Sequence, residues 1–317
     1  MPKASSKTSL YKKGAPKVGF NRSVLNWLKG TEQVREHKSP AAFEGLRTAY
    51  DKATDVARIA GKTNREAHRI TLSRLTELLF GHDLGAELAE RLLSDPINKA
   101  GFRTTLSQGV AKNVGENFVN IIVYALADLL SDNDAVLVDK GLPPALKEAL
   151  VLKRQVKFAD RIKTIHIPIE GDLAIFSRTD PTNAIIISAK TRLKEVFHIG
   201  TMWALLFDAI EDEYLQNKWG LEPSGSSVEN ALYVFATADM VNASGHKTQG
   251  PDVERDQPRN LIAMDASFFD FVLVSKTGIS HVSDTVNLAG PREALFHELG
   301  CLIDIVEQKF GSGPTNV

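Results

Sequence analysis

One stretch, residues 170–195, constrains the fold more than any other part of the chain. Asp172 opens a short apolar run that ends in a turn-rich segment, residues 179–183. A second apolar run follows and leads directly into a Ser-Ala-Lys sequence at residues 188–190. Short apolar runs on either side of a Pro- and Asn-containing segment predict a β-hairpin. Such a hairpin would bring Asp172 and Lys190 close together.

A carboxylate beside a lysine suits metal-dependent cleavage of a phosphodiester bond. An aspartate can hold a hard divalent cation such as Mg²⁺, and a lysine can steer or activate the attacking water. Asp172 and Lys190 are therefore the first candidates for a catalytic site.

The composition allows one large core or two domains and does not itself indicate a partner. The chain has 317 residues, 43% of them hydrophobic and 24% charged, with a formal net charge of -1. The basic residues are unevenly distributed, because residues 1–31 contain seven Lys or Arg and no acid. We interpret residues 1–20 as a flexible basic arm, either a solubilising tail or a segment that contacts nucleic-acid phosphates.

Neither a targeting signal nor a disulfide framework is indicated. No continuous apolar segment follows the charges of the arm, as a signal peptide requires. The longest mainly apolar run, residues 118–130, is too short for a membrane span and contains Asn120 and Asp128. The single cysteine, Cys301, lies in an apolar helical pattern and is interpreted as a core thiol. These features suit a protein of the reducing cytoplasm without a membrane span.

The apolar pattern divides the rest of the chain into a helical N-terminal region, residues 21–105, and a mixed region of helices and strands, residues 106–317. Pro40 starts one helix of the first region, and Asn64 is expected to cap another. The helices expected in the second region cover residues 106–131, 143–162, 192–216 and 291–309. The strands expected there cover residues 165–169, 173–176, 184–187, 231–236, 261–264 and 269–274. A long polar loop, residues 239–259, is a candidate functional surface.

The order of helix, strand with Asp172, turn, strand with Ser-x-Lys and helix resembles the PD-(D/E)XK nuclease superfamily. More narrowly, the chain is similar to type II restriction endonucleases of the CCGG-cutting branch, in which Ser replaces the second carboxylate of the usual Glu-x-Lys. The motif here is Ser188-Ala189-Lys190, and residues 191–195 fit most of the outline that follows it. The resemblance implies an α/β (α+β) fold with a restriction-endonuclease-like core, in which helices flank a central mixed sheet.

The resemblance also implies a role for each residue of the motif. Asp172 and the backbone carbonyl of Ala189 would bind Mg²⁺. Lys190 would position the attacking water and stabilise charge in the transition state. Ser188 would orient the site.

A further acid would complete the metal shell, and Glu116 and Glu195 are the two candidates. Members of the superfamily often take this glutamate from a helix before the strands, as Glu116 would be, whereas Glu195 is the nearest acid after Lys190. Asp208 and Glu211 are alternatives later on the same helix as Glu195. Glu116 is preferred because it begins a polar stripe with a four-residue period: Glu116, Asn120, Tyr124 and Asp128. Buried polar groups need partners, so the stripe indicates a polar centre.

Basic residues near the motif are the candidates for DNA contacts. Arg192 and Lys194 open the helix after the motif, where they could reach phosphates or guanine edges. The polar loop adds three weaker candidates: Lys247, Arg255 and Arg259. Val196 stands where the CCGG-cutting enzymes carry an arginine, so their sequence specificity is not transferred to this chain.

The resemblance therefore leads us to expect a Mg²⁺-dependent type II restriction endonuclease of double-stranded DNA in a prokaryotic cytoplasm. We expect a homodimer, because cutting both strands at one site usually takes two active sites and a two-fold dimer mirrors a palindromic target. Two alternatives stay open. One is a non-catalytic DNA-binding or interaction protein, and the other is a PD-(D/E)XK nuclease that reads DNA structure.

Overall fold

The computed structural model describes residues 40–81, 115–159, 161–191, 197–223, 230–238 and 260–311. Its helices, numbered in chain order, are α1 (Pro40–Ile59), α2 (Asn64–Ser73), α3 (Leu75–Gly81), α4 (115–129), α5 (Pro144–Ala149), α6 (Phe197–Glu211), α7 (Glu213–Trp219), α8 (Asn260–Ala266) and α9 (Cys301–Phe310). Its strands are β1 (Val136–Lys140), β2 (Val151–Phe158), β3 (Arg161–Pro168), β4 (Leu173–Ser177), β5 (Ala184–Lys190), β6 (Leu221–Pro223), β7 (Leu232–Thr237), β8 (Phe271–Val274), β9 (Val282–Ser283) and β10 (Phe296–Glu298).

Seven of these strands form a mixed central sheet in the order β1-β4-β5-β7-β8-β10-β9. The strands β1, β4 and β5 are antiparallel neighbours. From β5 onward, each strand runs parallel to the next. Helices lie on the connections from β5 to β7 and from β7 to β8, because parallel neighbours require a crossover. The fold is a mixed α/β fold with a large central sheet, as the sequence predicted at this coarse level.

Helices cover both faces of the central sheet, and alternate residues of each strand enter two different hydrophobic cores. In β5, Ile185 and Ile187 belong to the first core and Ile186 to the second. The first core is completed by α1, α2, α3, α4 and α9, and the second by α5, α6 and α8. Burying each of these side chains is worth on the order of 1.5–3 kcal/mol. A strand buried on both faces is therefore a continuous apolar run.

The described helices of the N-terminal region share the first core with the sheet. Leu46 of α1 and Leu72 of α2 are fully buried in it. α2 begins with a capping box, in which the Thr63 side chain accepts from the Glu66 amide and the Glu66 carboxylate accepts from the Thr63 amide. Thr63 is therefore the cap, and Asn64, expected in that role, is the first helical residue.

A second sheet has three strands in the order β3-β2-β6. β2 and β3 pair along their whole length, from Val151 opposite Pro168 to Phe158 opposite Arg161. β6 pairs only with residues 152–154 of β2. We call β2 and β3 together the ribbon, because their outer part extends beyond β6 as two strands.

Several element predictions were wrong. The helix expected over residues 143–162 is only α5, and the ribbon replaces the rest, because Val, Ile and Thr recur along β2 and β3 and favour extended backbone. Residues 261–264, expected as a strand, lie in α8. The helix expected over residues 291–309 begins only at Cys301, after β10. The helix expected over residues 192–216 is divided at Asp212, whose side chain accepts from the Leu215 amide and caps α7.

Two further expectations concern Cys301 and membrane spans. Cys301 is fully buried at the start of α9, and burial raises the pKa of its thiol to about 12. The interpretation of Cys301 as a core thiol is therefore confirmed. Within the residue ranges given above, no helix is both long and apolar enough to cross a membrane.

Candidate active site

The predicted hairpin is present and consists of β4 and β5. The two strands pair in antiparallel register from Leu173 opposite Ile187 to Phe176 opposite Ala184. The turn between them is closed by backbone bonds and by Asp180, whose carboxylate accepts from the amide and the hydroxyl of Thr182. This is the local role that short polar side chains take in turns.

Asp172 and Lys190 meet at the end of the hairpin away from this turn. The Lys190 ammonium lies 2.7 Å from Asp172 Oδ2, and the Ala189 amide donates to the same oxygen at 2.9 Å. The backbone of Asp172 is also held, because its amide donates to the Ile187 carbonyl and its carbonyl accepts from the Gly141 amide. The carboxylate is therefore held by β5, and the backbone of Asp172 is held by Gly141, the residue after β1, and by β5.

The Asp172–Lys190 pair is open to solvent on one side. The side chain of Asp172 is 32% exposed and that of Lys190 is 35% exposed. No hydrogen bond from the described residues reaches Asp172 Oδ1. One carboxylate oxygen is thus available to water or a cation, while the other orients the lysine.

Ser188 and Ala189, the two residues before Lys190 in β5, are buried within the sheet. Each is 5% exposed. In the register with β7, Ser188 lies opposite Phe235 and Ala189 lies opposite Ala236. The motif therefore lies between Asp172 on one side and β7 on the other, and Lys190 is the first residue of β5 that reaches solvent.

Glu116 lies on the first turn of α4 and is partly exposed. One turn later, the Asn120 side chain accepts from the Lys140 ammonium at 2.9 Å. Lys140 lies opposite Leu173, the residue after Asp172, in the register of β1 with β4. The Lys140 side chain points to the first-core face of the sheet, as Leu173 does, whereas alternation along the strand points Asp172 to the second-core face. A place for Glu116 in the metal shell therefore stays a prediction.

The rest of the polar stripe on α4 holds helices together. The Tyr124 hydroxyl donates to Asp51 of α1 at 2.8 Å. Asp128 lies 3.1 Å from His68 Nε2 of α2, and His68 Nδ1 lies 2.8 Å from the Tyr50 hydroxyl. The stripe was expected to indicate a polar centre, but its second half satisfies buried polar groups between α1, α2 and α4.

A carboxyl group missed by the sequence analysis lies next to the hairpin. Asp139 of β1 is 3% exposed, and its Oδ1 finds no hydrogen-bond partner among the described residues. In the register it lies opposite Ala174, two residues after Asp172. Burial raises its pKa to about 7, against the weaker effects of the Lys140 amide and the Lys147 charge. An acid directly after the apolar run Val-Leu-Val was the signal available in the sequence.

Asp208, one of the alternative acids, lies elsewhere. Burial raises its pKa to about 6, and the charges of Asp270 and Asp212 add to this effect. Asp270 accepts from the Tyr233 amide at the start of β7. Lys190, by contrast, lies opposite Thr237 at the end of β7. Asp208 and Lys190 are therefore near opposite ends of the parallel strands.

The remaining candidates fall outside the described residues. They are Arg192, Lys194 and Glu195 after the motif, and Lys247, Arg255 and Arg259 in the polar loop. Within the described part of the chain, no group of three or more His, Cys, Asp or Glu side chains could hold a metal ion. The donors found at the hairpin are a carboxylate and backbone carbonyls. Such a set fits Mg²⁺, which uses one or two carboxylates and retains several waters.

Comparisons with known proteins add a distant structural likeness. A scan against protein-family models finds no match to the chain, and neither does a search of curated proteins. Among solved structures, the chain is similar to one described as a restriction endonuclease PspGI–substrate DNA complex. The match has 12% sequence identity and a TM-score of 0.34, and covers 96% of this chain and 98% of that one. A likeness of this size does not assign a family, so the case for function depends on the residues described above.

Proposed function

We propose that the chain is a Mg²⁺-dependent endodeoxyribonuclease that hydrolyses phosphodiester bonds in double-stranded DNA, as a type II restriction endonuclease does. The observation that supports this proposal is the contact between Asp172 Oδ2 and the Lys190 ammonium at 2.7 Å, with both side chains partly exposed. A partly exposed carboxylate beside a lysine, on a β-hairpin, is the arrangement that the resemblance to the nuclease superfamily implied.

In this proposal each residue of the motif has a separate task. Asp172 Oδ1 and the Ala189 carbonyl would hold Mg²⁺, with Glu116, or else Glu195, completing the shell. The bound ion would supply charge neutralisation at the phosphate and a more acidic water. Lys190 would donate to the attacking water and to the phosphate oxygens as negative charge develops on them. Ser188, buried in β5, would orient the site.

The basic residues that follow the motif would hold the DNA. Arg192 and Lys194 would contact phosphates or guanine edges, with Lys247, Arg255 and Arg259 as further contacts. We further propose a homodimer whose two-fold axis coincides with that of a palindromic site. The buried free thiol of Cys301 suits work in the reducing cytoplasm of a prokaryote.

The proposal is tested by incubating the purified protein with phage and plasmid DNA, with Mg²⁺ and with EDTA. We expect discrete fragments with Mg²⁺ and intact DNA with EDTA. Lys190→Ala and Asp172→Asn should each reduce the cleavage rate by about 10²–10³, the usual loss when a group that stabilises developing charge is removed. Lys52→Ala, at an exposed position of α1, is the control and should cut at the wild-type rate.

Other outcomes separate the alternatives. DNA that stays intact on several unrelated templates, while binding is retained, would refute the nuclease and favour a non-catalytic DNA-binding protein. Cleavage of branched or flapped DNA, with plain duplex left intact, would identify a nuclease that reads DNA structure.

A further inference from the structure

We infer that the ribbon, β2 and β3, is a binding surface for the phosphate backbone of double-stranded DNA. This inference deepens the proposed function, because it names the surface that holds the same DNA. It could not be drawn from the sequence, in which residues 143–162 were predicted to be a helix and only residues 165–169 a strand.

The first observation is the charge of the ribbon. Its two strands carry five cationic side chains and no acid: Lys153, Arg154, Lys157, Arg161 and Lys163. All of these except Lys153, which is half-buried, are exposed. The whole chain has a formal net charge of -1, so the ribbon is a local concentration of positive charge on a nearly neutral molecule. Clustered Lys and Arg on one surface are the electrostatic footprint of nucleic-acid binding.

The second observation is that these cations have no ionic partners in the described structure. Other exposed basic residues do, such as Arg65 with Asp304 and Arg74 with Glu77. None of the five ribbon cations forms an ion pair or side-chain hydrogen bond with any residue of the described ranges. Their charges are therefore available to an external polyanion.

The third observation is the shape of the ribbon. β6 supports only residues 152–154, so the part beyond them extends as two strands with no third neighbour. A two-stranded ribbon fits the major groove of B-DNA. Because neighbouring residues of a strand point to opposite faces, Arg154 and Lys163 lie on one face and Lys157 on the other. Cations on both faces can reach the phosphates of both strands that border a groove.

The end of the ribbon carries two exposed apolar side chains, one on each face, beside Arg161 and with Asp160 between the strands in sequence. Phe158 is 54% exposed and Ile162 is 71% exposed. The two residues belong to neighbouring cross-strand pairs. Phe158 lies opposite Arg161, and Ile162 lies opposite Lys157. Apolar side chains at this position would meet base edges, where a thymine methyl group provides an apolar contact, while the cations behind them meet phosphates.

The base of the ribbon, where β3 ends, is close in sequence to the candidate active site. Pro168, the last residue of β3, is four residues before Asp172. Four residues span at most about 14 Å. DNA that lies along the ribbon would therefore pass near the Asp172–Lys190 pair.

The test measures binding without cleavage, in EDTA, by the anisotropy of short fluorescent DNA duplexes of several unrelated sequences. The variant Lys157→Gln/Arg161→Gln/Lys163→Gln is compared with wild type between about 50 and 200 mM salt. We expect at least a tenfold loss of affinity at the lower salt concentration. The slope of log Kobs against log salt should become shallower by about 0.9 for each phosphate that the variant no longer neutralises.

A matched control removes the same charges elsewhere. Lys52→Gln/Lys62→Gln/Arg178→Gln changes three exposed residues outside the ribbon and should keep both the affinity and the slope. Melting curves should show that both triple variants fold, because all six positions are exposed. If the ribbon variant does not fold, single Lys157→Gln and Lys163→Gln variants should each reduce the slope by about 0.9.

The outcomes are distinct from those of the cleavage test. Equal affinity and slope for wild type and ribbon variant would overturn the inference and leave the ribbon cations as a solubilising edge. Absence of duplex binding by wild type, or binding to phosphatidylserine vesicles in its place, would also overturn it. DNA binding that depends on the ribbon, without any Mg²⁺-dependent cleavage, would support this inference while refuting the nuclease.

Discussion

Two aspartates on neighbouring strands illustrate how the surroundings of a side chain set its chemistry. Asp172 is 32% exposed and accepts two hydrogen bonds, one of them from an ammonium group. Asp139 is 3% exposed and has an oxygen with no partner among the described residues. The first carboxylate is suited to binding a cation. The second is held largely as the neutral acid up to near-neutral pH, because its pKa is raised to about 7.

The raised pKa of Asp139 predicts a pH-dependent stability. In the unfolded chain this carboxyl loses its proton near its ordinary pKa of 3.8, whereas the folded protein retains the proton until about pH 7. The free energy of unfolding should therefore fall as the pH rises from about 4 to 7, by up to about 4 kcal/mol from this group. Urea unfolding in EDTA should be measured across this pH range. The free energy of unfolding should fall less for Asp139→Asn than for wild type.

The control for this prediction is Asp134→Asn, a substitution in the exposed turn before β1. Its pH profile should run parallel to that of wild type. A profile for Asp139→Asn that is also parallel to wild type would contradict the raised pKa.

The sequence predicted Asp172 and Lys190 as a pair because a single hairpin determines their contact. Only strand alternation and one turn were needed to bring them together. Asp139 could not be found in the same way, since its burial depends on the pairing of β1 with β4 and on the cover provided by the second core. Its pKa is a property of the assembled structure, which no local pattern of residues encodes.

At the scale of elements, the close contact between α2 and α9 depends on Gly300. The Gly300 amide donates to the Ser73 hydroxyl at 3.1 Å. A Cβ atom at this position would collide with the Arg69 carbonyl oxygen and lie 2.5 Å from Ser73 Oγ. The two helices are also joined by Arg65 and Arg69, which both donate to Asp304.

Gly300→Ala should therefore lower the free energy of unfolding by about 1–3 kcal/mol, because backbone atoms must move to admit the methyl group. Gly115→Ala is the matched control, as a Cβ at Gly115 meets nothing within 4 Å. The control should be neutral or slightly stabilising, since it reduces the freedom of the unfolded chain. Thermal or urea unfolding measures both changes, and equal stabilities for the two variants would contradict the close packing.

The elements that the sequence predicted well are those with a single local determinant. α1 starts at Pro40 as expected, and β4 and β5 follow from apolar runs around a turn. Residues 151–162 of the ribbon were predicted as a helix because Lys and Arg are good helix formers and two prolines before them are a helix-start signal. Only the end of β3 was expected as a strand. The pairing of β2 with β3 and β6, which stabilises the extended form, is a tertiary effect. Likewise, β10 was mistaken for part of α9, because its parallel pairing with β8 is not visible in the local sequence.

For the whole molecule, the candidate site lies where the antiparallel and parallel parts of the central sheet join. β5 is antiparallel to β4 and parallel to β7, and Lys190 is its last residue. Helices on both faces leave this end of β5 as a place where a charged pair remains accessible. One chain presents one such pair, and in the proposed reaction each pair would cut one DNA strand at a time.

The proposed dimer can be tested because one active site would cut only one DNA strand at a time. Sedimentation should give a mass twice the 34.7 kDa of one chain. Mixed dimers of wild type and Lys190→Ala have one intact site, so they should convert supercoiled plasmid into nicked circles that accumulate before any linear product. A monomer that produces linear DNA in one binding event would contradict the two-site arrangement. Lys52→Ala mixed with wild type is the control and should show no accumulation of nicked circles.

The place of the ribbon in the chain has a consequence for how such a protein can diversify. β1 and β4 are hydrogen-bonded neighbours, yet the chain between them leaves the central sheet, forms α5 and the ribbon, and then returns. An excursion between adjacent strands can lengthen, shorten or change sequence at little cost to the strands themselves. The surface that we infer to hold DNA can therefore evolve rapidly, while Asp172 and Lys190 stay fixed on their hairpin. Changes in the ribbon alone would then alter which DNA is bound, while the hairpin that carries the proposed catalytic pair stays the same.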